Sequence, residues 1–372
     1  MLIGVPREVK IKEFRVGLTP ASVQEFVHHG HEVIVESCAG TGIGFSDDDY
    51  QAAGAEVVDT PEDIFARARM IIKVKEPQPA ECAMLRPDQI LFTYLHLAAD
   101  PAQAKALMDS GAAAIAYETV TDSHGHLPLL APMSEVAGRM SVQVGAMALQ
   151  ENNGGSGILL GGVPGVPAAN VVVIGGGVAG TNALRMAVGM EAQVTVIDRN
   201  INRLRHLDEQ FGGRINTAYP TRQALAEAVR AADLVVGAVL IPGAAAPKVV
   251  TREDLKVMRP GSVVVDISID QGGCFETSRP TSHDNPTFVE EGIVHYCVTN
   301  MPGAVPRTST FALNNAILPY ALQLANKGLR QALADDGHLL NGLNVLKGRI
   351  TNRPVAEALN LDFVDARSDL AA

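Results

Sequence analysis

Val171-Val172-Val173-Ile174-Gly175-Gly176-Gly177-Val178-Ala179-Gly180 is the stretch on which the fold turns. An apolar run stops in glycines, a helical pattern follows from Thr181 to Met190, and a second apolar run, Gln193 to Ile197, ends at Asp198. The order is strand, glycine turn, helix, strand, acid. Gly175, Gly177 and Gly180 fit G-x-G-x-x-G. In that pattern the first glycine permits the tight turn, the second lets backbone approach a pyrophosphate, and the third lets helix and strand pack closely. The helix start presents free N–H groups to phosphate oxygens, and an acid about 20 residues on accepts from ribose hydroxyls. A glycine fingerprint alone is weak, because a tight turn in an ordinary parallel-sheet protein also produces one. Here strand, helix, second strand and Asp198 all stand in register, so the stretch predicts a dinucleotide-binding unit.

At 372 residues the chain has room for two or three domains, and with 47% apolar residues it can bury a sizeable core. No apolar run reaches the ~18 residues of a membrane span. The start, Met1-Leu2-Ile3-Gly4-Val5-Pro6, reads as a first strand rather than a signal peptide. A net charge of −11 without a large basic cluster argues against a nucleic-acid partner, since such binding rests on cationic contacts to phosphates. Cys38, Cys82, Cys274 and Cys297 are far apart and form no C-x-x-C. The expectation is a reduced, cytoplasmic protein with buried thiols.

Before the glycine stretch, residues 1 to about 130 alternate between strand and helix patterns. Strands are expected at Leu2–Val5, Glu32–Val35, Met70–Lys73, Ile90–Thr93 and Ala113–Ala116, and helices at Pro20–His29, Asp47–Ala53, Pro61–Ala68 and Pro101–Ser110. This alternation implies a parallel sheet covered on both faces. No phosphate-binding glycine fingerprint occurs there, so this part reads as a substrate domain. A long helix rich in small residues is expected over 134–151, with Ser134 as N-cap and Glu135 in its first turn.

After Asp198, helices are expected at Ile201–Gln210 and Thr221–Ala231, and strands at Leu234–Val239, Ser262–Asp266 and Ile293–Val298. A polar, proline-containing loop spans Asn300 to Thr310, and a helix from about Phe311 to Leu324 is expected to kink at Pro319. Another helix follows from about Leu329 to Asp335. The last ~60 residues return to the first domain. The fold class is α/β: two Rossmann-like doubly wound domains with an interdomain cleft, linked by long helices. Residues 1–130 with 310–372 form one domain and 131–309 the other. The long small-residue helix and the helix from Phe311 are expected to act as the hinge.

Chemistry-bearing residues gather after strands of the first domain. Arg15 follows the first strand, where a guanidinium can grip a carboxylate through two hydrogen bonds, although a surface arginine is the plainer alternative. Lys75 and Lys73 both follow the strand at Met70. Lys75 lies nearer its carboxyl end, and alternation does not separate the two. His96 follows the strand at Ile90. A lone histidine is more often structural, but three such residues after three strands of a parallel sheet converge on one edge. In the second domain, Val263 to Asp270 places polar residues just past a strand, where ligands sit in doubly wound sheets. His28, His29 and His31 cluster at a helix end, which suits the dipole. His124 and His126 lie in a glycine-containing loop. Neither cluster shows a carboxylate or cysteine partner at metal-ligand spacing, so no metal site is expected.

Three long motifs in order make the chain resemble alanine dehydrogenase along essentially its whole length. They are Gly4-Val5-Pro6-Arg7-Glu8 through Glu13, Arg15-Val16 and Thr19-Pro20; Ile174 through Gly180 to Gly189 and Asp198; and Asn300-Met301-Pro302-Gly303-Ala304-Val305-Pro306-Arg307-Thr308-Ser309. The resemblance implies reversible oxidation of L-alanine by NAD and water to pyruvate, ammonium and NADH. It implies that Arg15 and Lys75 bind the substrate, that His96 is the general acid/base, and that Asp270 is the second catalytic group. NAD contacts are implied for Ser134, Gly175, Gly177, Val178, Ala179, Gly180, Asp198, Arg203, Val239, Leu240, Ile267, Ser268, Ile269, Asp270, Arg279, Val298, Thr299, Asn300 and Met301. A cytoplasmic homohexamer, with no membrane and no nucleic-acid partner, is the expected assembly.

The chain departs from the family pattern at Lys12, where asparagine is common, at Gly17, where alanine is common, at Glu191, where glycine is common, and at Pro220, where a serine usually touches the adenine side. The nearest rival is the nucleotide-binding subunit of proton-translocating transhydrogenase, which has no small substrate of its own. Retention of Arg15, Lys75, His96 and Asp270 together favours the dehydrogenase. A non-catalytic NAD-sensing protein is a second rival, and saccharopine-type dehydrogenases share the architecture but act on far larger substrates.

Overall fold

A computed structural model describes residues 1–239 and 246–371. The chain begins with six strands, β1 (Leu2–Val5), β2 (Glu32–Glu36), β3 (Glu56–Val58), β4 (Met70–Ile72), β5 (Ile90–Thr93) and β6 (Ala113–Ala116). Seven more follow: β7 (Asn170–Ile174), β8 (Gln193–Ile197), β9 (Ile215–Ala218), β10 (Leu234–Gly237), β11 (Val263–Asp266), β12 (Thr287–Glu290) and β13 (Ile293–Tyr296). The chain ends with β14 (Leu343–Leu346), β15 (Arg349–Ile350) and short helices. Two compact units result, Met1–Met133 with Val305–Ala372, and Ser134–Ala304. Among the described residues, no helix is long and apolar enough to cross a membrane.

In the first unit the strand order is β15-β14-β6-β5-β4-β1-β2-β3, parallel from β6 to β3, with β14 and β15 added antiparallel at the edge. Side chains alternate between two buried faces. Ile3, Val35, Ile72, Phe92 and Ile115 share one apolar cluster, whereas Ile34, Ile71, Leu91 and Ala114 share the other. Burial on both faces is why these strands read as continuous apolar runs rather than as alternating ones. The long helix Pro306–Asp335 brings Leu313, Ile317 and Leu324 onto the first of these faces. Side-chain caps start the flanking helices: Thr19, Thr60 and Asp100 each accept a backbone N–H from the first turn.

In the second unit the order is β12-β13-β11-β10-β7-β8-β9, parallel apart from β12. Order reverses between β7 and β10, so the first strand of the unit has its glycine turn at the switch point where ligands of such sheets bind. The helix Ala131–Ala148 is packed close to that turn. A Cβ on Gly138 would stand 2.1 Å from the Ala179 carbonyl oxygen, and one on Gly145 would stand 2.7 Å from the Leu234 side chain.

Several expectations are corrected. The small-residue helix starts at Ala131, so Ser134 lies inside it and is not its N-cap. The polar stretch from Asn300 to Thr310 is not an open loop: a 3₁₀ turn, Met301–Ala304, leads directly into a helix that begins at Pro306, where proline's fixed φ suits the first turn. The interruption of that helix falls at Gly328, with φ 73° and ψ 163°, and not at Pro319. Strands β3 and β9 and the helix Pro79–Met84 lacked a recognisable periodic run because they are only three to six residues long. Cys82, Cys274 and Cys297 are buried, but Cys38 is exposed. Burial pushes the Cys82 thiol up to about 11 and the Cys297 thiol up to about 12, which leaves both protonated and unreactive at neutral pH.

Candidate active site

Arg15 lies beyond β1, with its side chain only 2% exposed. Glu13 grips it from below: Arg15 Nε donates to Glu13 Oε1 at 2.7 Å, and Nη2 donates to Oε2. Nη1 meets the Met133 sulfur at 3.1 Å. The fork is thereby fixed in one plane, and its charge is balanced where burial would otherwise disfavour it. Burial distinguishes Lys73 from Lys75. Lys73 is fully buried, with Nζ 2.7 Å from Glu81 and 3.2 Å from Glu8. Burial would lower its pKa, but the two carboxylates outweigh that and raise it. Lys73 is committed to an internal ion cluster, while Lys75 is only partly buried.

His96 follows β5 in the left-handed region, with φ 53°. A non-glycine residue in that region needs local support. Glu118 supplies it, accepting the His96 N–H at 2.6 Å and the Leu95 N–H at 3.2 Å. The imidazole is half exposed and stacks on the buried Tyr94 ring, with centroids 5.8 Å apart and planes 7° apart. Tyr94 donates its hydroxyl to the Leu129 carbonyl at 2.6 Å, and burial raises its pKa, so it stays neutral. Strand register ties the neighbourhood together: Tyr94 N–H reaches the Val74 carbonyl at 3.3 Å, and Thr93 Oγ1 donates to the Lys75 carbonyl at 3.0 Å. Glu13, Tyr94 and Glu118 were not singled out from sequence. Only the E-x-R spacing of Glu13 and Arg15 carried a signal.

The glycine turn fits a dinucleotide. Gly175 has φ +99°, and a Cβ on it would stand 2.4 Å from the Ala238 carbonyl oxygen. On Gly180 a Cβ would stand 1.8 Å from the Gly175 carbonyl oxygen, the close helix–strand approach that the third glycine exists to allow. A Cβ on Gly177 would meet nothing within 4 Å, so its bareness serves open space rather than internal packing. Gly177 also heads the helix Val178–Gly189 without a side-chain cap. The turn is braced from behind. Asp198 accepts the Gly176 N–H at 2.7 Å and the Asn200 N–H at 2.8 Å, and Arg203 donates to the Gly176 carbonyl at 2.6 Å.

At the end of β11, Asp266 is fully buried and organises the following loop. It accepts the Ser268 N–H at 3.0 Å, the Cys274 N–H at 2.9 Å and the Ser278 hydroxyl. Ser268 in turn bonds both backbone groups of Val239. Ile267–Gln271 thus forms a 3₁₀ turn that leaves Asp270 exposed. Arg279 lies 3.9 Å over the Phe288 ring. Val298 is buried, Thr299 is half-buried and donates its N–H to the Thr281 carbonyl, and Asn300 takes φ 60° ahead of Met301. Leu240 lies outside the described residues. Sequence reasoning also overlooked the carboxylate beside the 124–126 histidines: Asp122 Oδ2 is 3.1 Å from His126 Nδ1.

Comparison with known proteins gives one consistent picture. The model of the alanine dehydrogenase/PNT N-terminal domain matches residues 4–137, and that of the C-terminal domain matches residues 141–353. The chain is 58% identical over 368 residues to an alanine dehydrogenase of Halomonas elongata, covering 99% of each chain. It is 54% identical to that of Bacillus subtilis, over all of this chain and 98% of the other. A solved L-alanine dehydrogenase structure superposes with a TM-score of 0.94 at 52% identity, covering 97% of this chain and 99% of that one. A transhydrogenase from Sinorhizobium meliloti, at 24% identity and a TM-score of 0.80, shares the fold.

Proposed function

Because this chain belongs to the alanine dehydrogenase/PNT family, we propose that it catalyses the NAD-dependent, reversible oxidative deamination of L-alanine to pyruvate and ammonium. The observation that carries this reading is the full-length identity to named alanine dehydrogenases. The presence of Arg15, Lys75 and His96 after successive strands of one sheet edge supports it. The unit holding Arg15, Lys75 and His96 takes the amino acid, and the unit holding the glycine turn takes NAD. Bound NAD supplies the hydride acceptor.

In this mechanism Arg15, aligned by Glu13, fixes the substrate carboxylate so that Cα presents its hydrogen at near-attack distance. Lys75 stabilises the negative charge that develops on the substrate oxygen. Water adds to the imine, and His96 exchanges protons with the carbinolamine oxygen as it collapses to ketone and ammonia. Histidine suits that step because an ordinary imidazole titrates near neutrality. Asp270 orients the water or ammonia and offsets cationic charge. Asp198 accepts the adenosine ribose hydroxyls and disfavours a 2′-phosphate, which makes NAD rather than NADP the cofactor.

The chain works in the cytoplasm as a homohexamer. Met147, Leu159 and Met190 line an apolar groove in the second unit with much of their surface exposed, a feature that a second copy would cover. The deciding experiment is NADH formation with L-alanine, glycine and L-serine, each with NAD and NADP. Alanine with NAD should be the preferred pair, and no alanine-dependent reduction of either cofactor would refute the proposal.

A further inference from the structure

The turn Asp122-Ser123-His124-Gly125-His126 has no part in the proposed reaction. Two backbone hydrogen bonds close it: Asp122 N–H to the His126 carbonyl and Gly125 N–H to the Asp122 carbonyl, both at 3.0 Å. Gly125 takes φ +75°, which the turn requires. Asp122 Oδ1 accepts the N–H groups of His124 and His126, each at 2.8 Å. That leaves the other carboxylate oxygen, Oδ2, aimed at His126 Nδ1 across 3.1 Å. The His124 and His126 rings stand nearly parallel, 5.8 Å apart and 19° from coplanar. One ligand atom from each of the three side chains lies within 4.8 Å of the other two.

We infer that this turn binds a divalent transition metal of the zinc, nickel or copper(II) class. Two imidazoles and one carboxylate are the donor set these ions prefer, whereas magnesium and calcium seek oxygen ligands alone. At metal–ligand distances of about 2.1 Å, donors around a tetrahedral zinc stand ~3.4 Å apart. The Asp122–His126 pair is already spaced close to that edge, so the ion replaces the proton the two atoms share. Closing the third side needs only a rotation of the exposed His124 side chain. Backbone N–H groups hold Asp122 in place, as outer-shell partners orient ligands at metal centres. Solvent fills the remaining coordination position. The site is open to water, with His126 75% exposed, so the ion enters without any unfolding of the chain. Binding clamps the segment that leads into the helix Ala131–Ala148.

The test uses the full chain, without an affinity tag and stripped with chelator, titrated calorimetrically with zinc chloride. Wild type should bind one equivalent that His124→Ala and His126→Ala each weaken by at least the ~10–100-fold that losing an outer-shell partner costs. His29→Ala, at the end of the helix Pro20–His28, should leave it intact. Asp122→Asn retains an acceptor for the two backbone N–H groups but loses the anionic ligand, so it should weaken zinc while leaving the chelator-treated melting temperature and alanine turnover unchanged. Copper(II) bound to wild type should show two coordinated nitrogens by electron paramagnetic resonance, and one after either histidine substitution. Equal zinc affinity in wild type and a His124→Ala/His126→Ala double variant would overturn the site. So would a nitrogen count that neither substitution changes.

Discussion

Glu13 and Arg15 form a two-point ion pair inside the first unit, with side chains 1% and 2% exposed. Two residues apart in the loop after β1, they meet side by side, so the carboxylate sets the plane of the buried guanidinium. Glu13→Gln retains one acceptor but loses the second and the charge. The expected result is a rise of tenfold or more in the KM for alanine, on the scale of losing one charge-assisted hydrogen bond of about 1.5 kcal/mol or more, with the KM for NAD unchanged. A parallel rise in both would mean that the pair only supports the fold.

Arg15→Lys keeps the charge but loses the planar fork. The KM for alanine should rise strongly while NAD binding, measured by fluorescence titration, holds. Loss of NAD affinity with unaltered alanine kinetics would show that Arg15 is misassigned.

Gly177→Ala separates binding from folding. A methyl there has free space and the backbone φ is −65°, so the melting temperature should stay at the wild-type value while the KM for NAD rises. Gly180→Ala, by contrast, drives a methyl into the Gly175 carbonyl and should lower the melting temperature as well. Unchanged NAD kinetics in Gly177→Ala would place the pyrophosphate elsewhere.

Lys73 holds together two buried carboxylates, Glu8 and Glu81. Lys73→Met leaves both without their cation and should destabilise the chain by about 3–5 kcal/mol in urea unfolding. Because the carboxylates raise the Lys73 pKa above its ordinary 10.5, its contribution is complete below that value and is lost as pH rises through the higher folded value. Wild type should therefore lose stability in the alkaline range more steeply than Lys73→Met does.

Glu191 and Lys12 occupy left-handed backbone, with φ 63° and 61°. Both carry a Cβ, for which such angles are costly, whereas glycine and asparagine tolerate them. Glu191→Gly should raise stability by up to about 1 kcal/mol, the left-handed penalty less the entropy a glycine adds to the unfolded chain. A lower melting temperature would mean that the Glu191 side chain is supporting its turn.

His96→Ala and Asp270→Asn test the proton chemistry. Each should lower kcat by ~100-fold or more, the scale of general acid–base assistance. Near wild-type turnover in Asp270→Asn, with the fold intact, would reduce Asp270 to a residue that orders its loop.

The sequence alone determined the two covered sheets, because strands buried on both faces read as continuous apolar runs, as β1 and β4 do throughout and β7 and β11 do apart from Asn170 and Asp266 at their ends. It also determined much of the glycine turn, since Gly180 answers a steric demand from the nearby Gly175 carbonyl, whereas the Ala238 carbonyl that crowds Gly175 is brought up by the distant strand β10. Which side chains are accessible was left to the tertiary structure. Lys73 and Lys75 look alike in an alternating run, and only the approach of Glu8, from another strand end, and Glu81, from a following helix, makes one internal and the other available. The break at Gly328 falls in the gap between the helices expected at Phe311 to Leu324 and Leu329 to Asp335, and only the kink expected at Pro319 was misplaced. A proline is tolerated within a helix where packing compensates for the lost hydrogen bond, whereas a left-handed glycine ends the helix wherever the chain must turn. Local patterns fix which face of an element is apolar; ion pairs and turns that join distant segments depend on where the folded chain brings them.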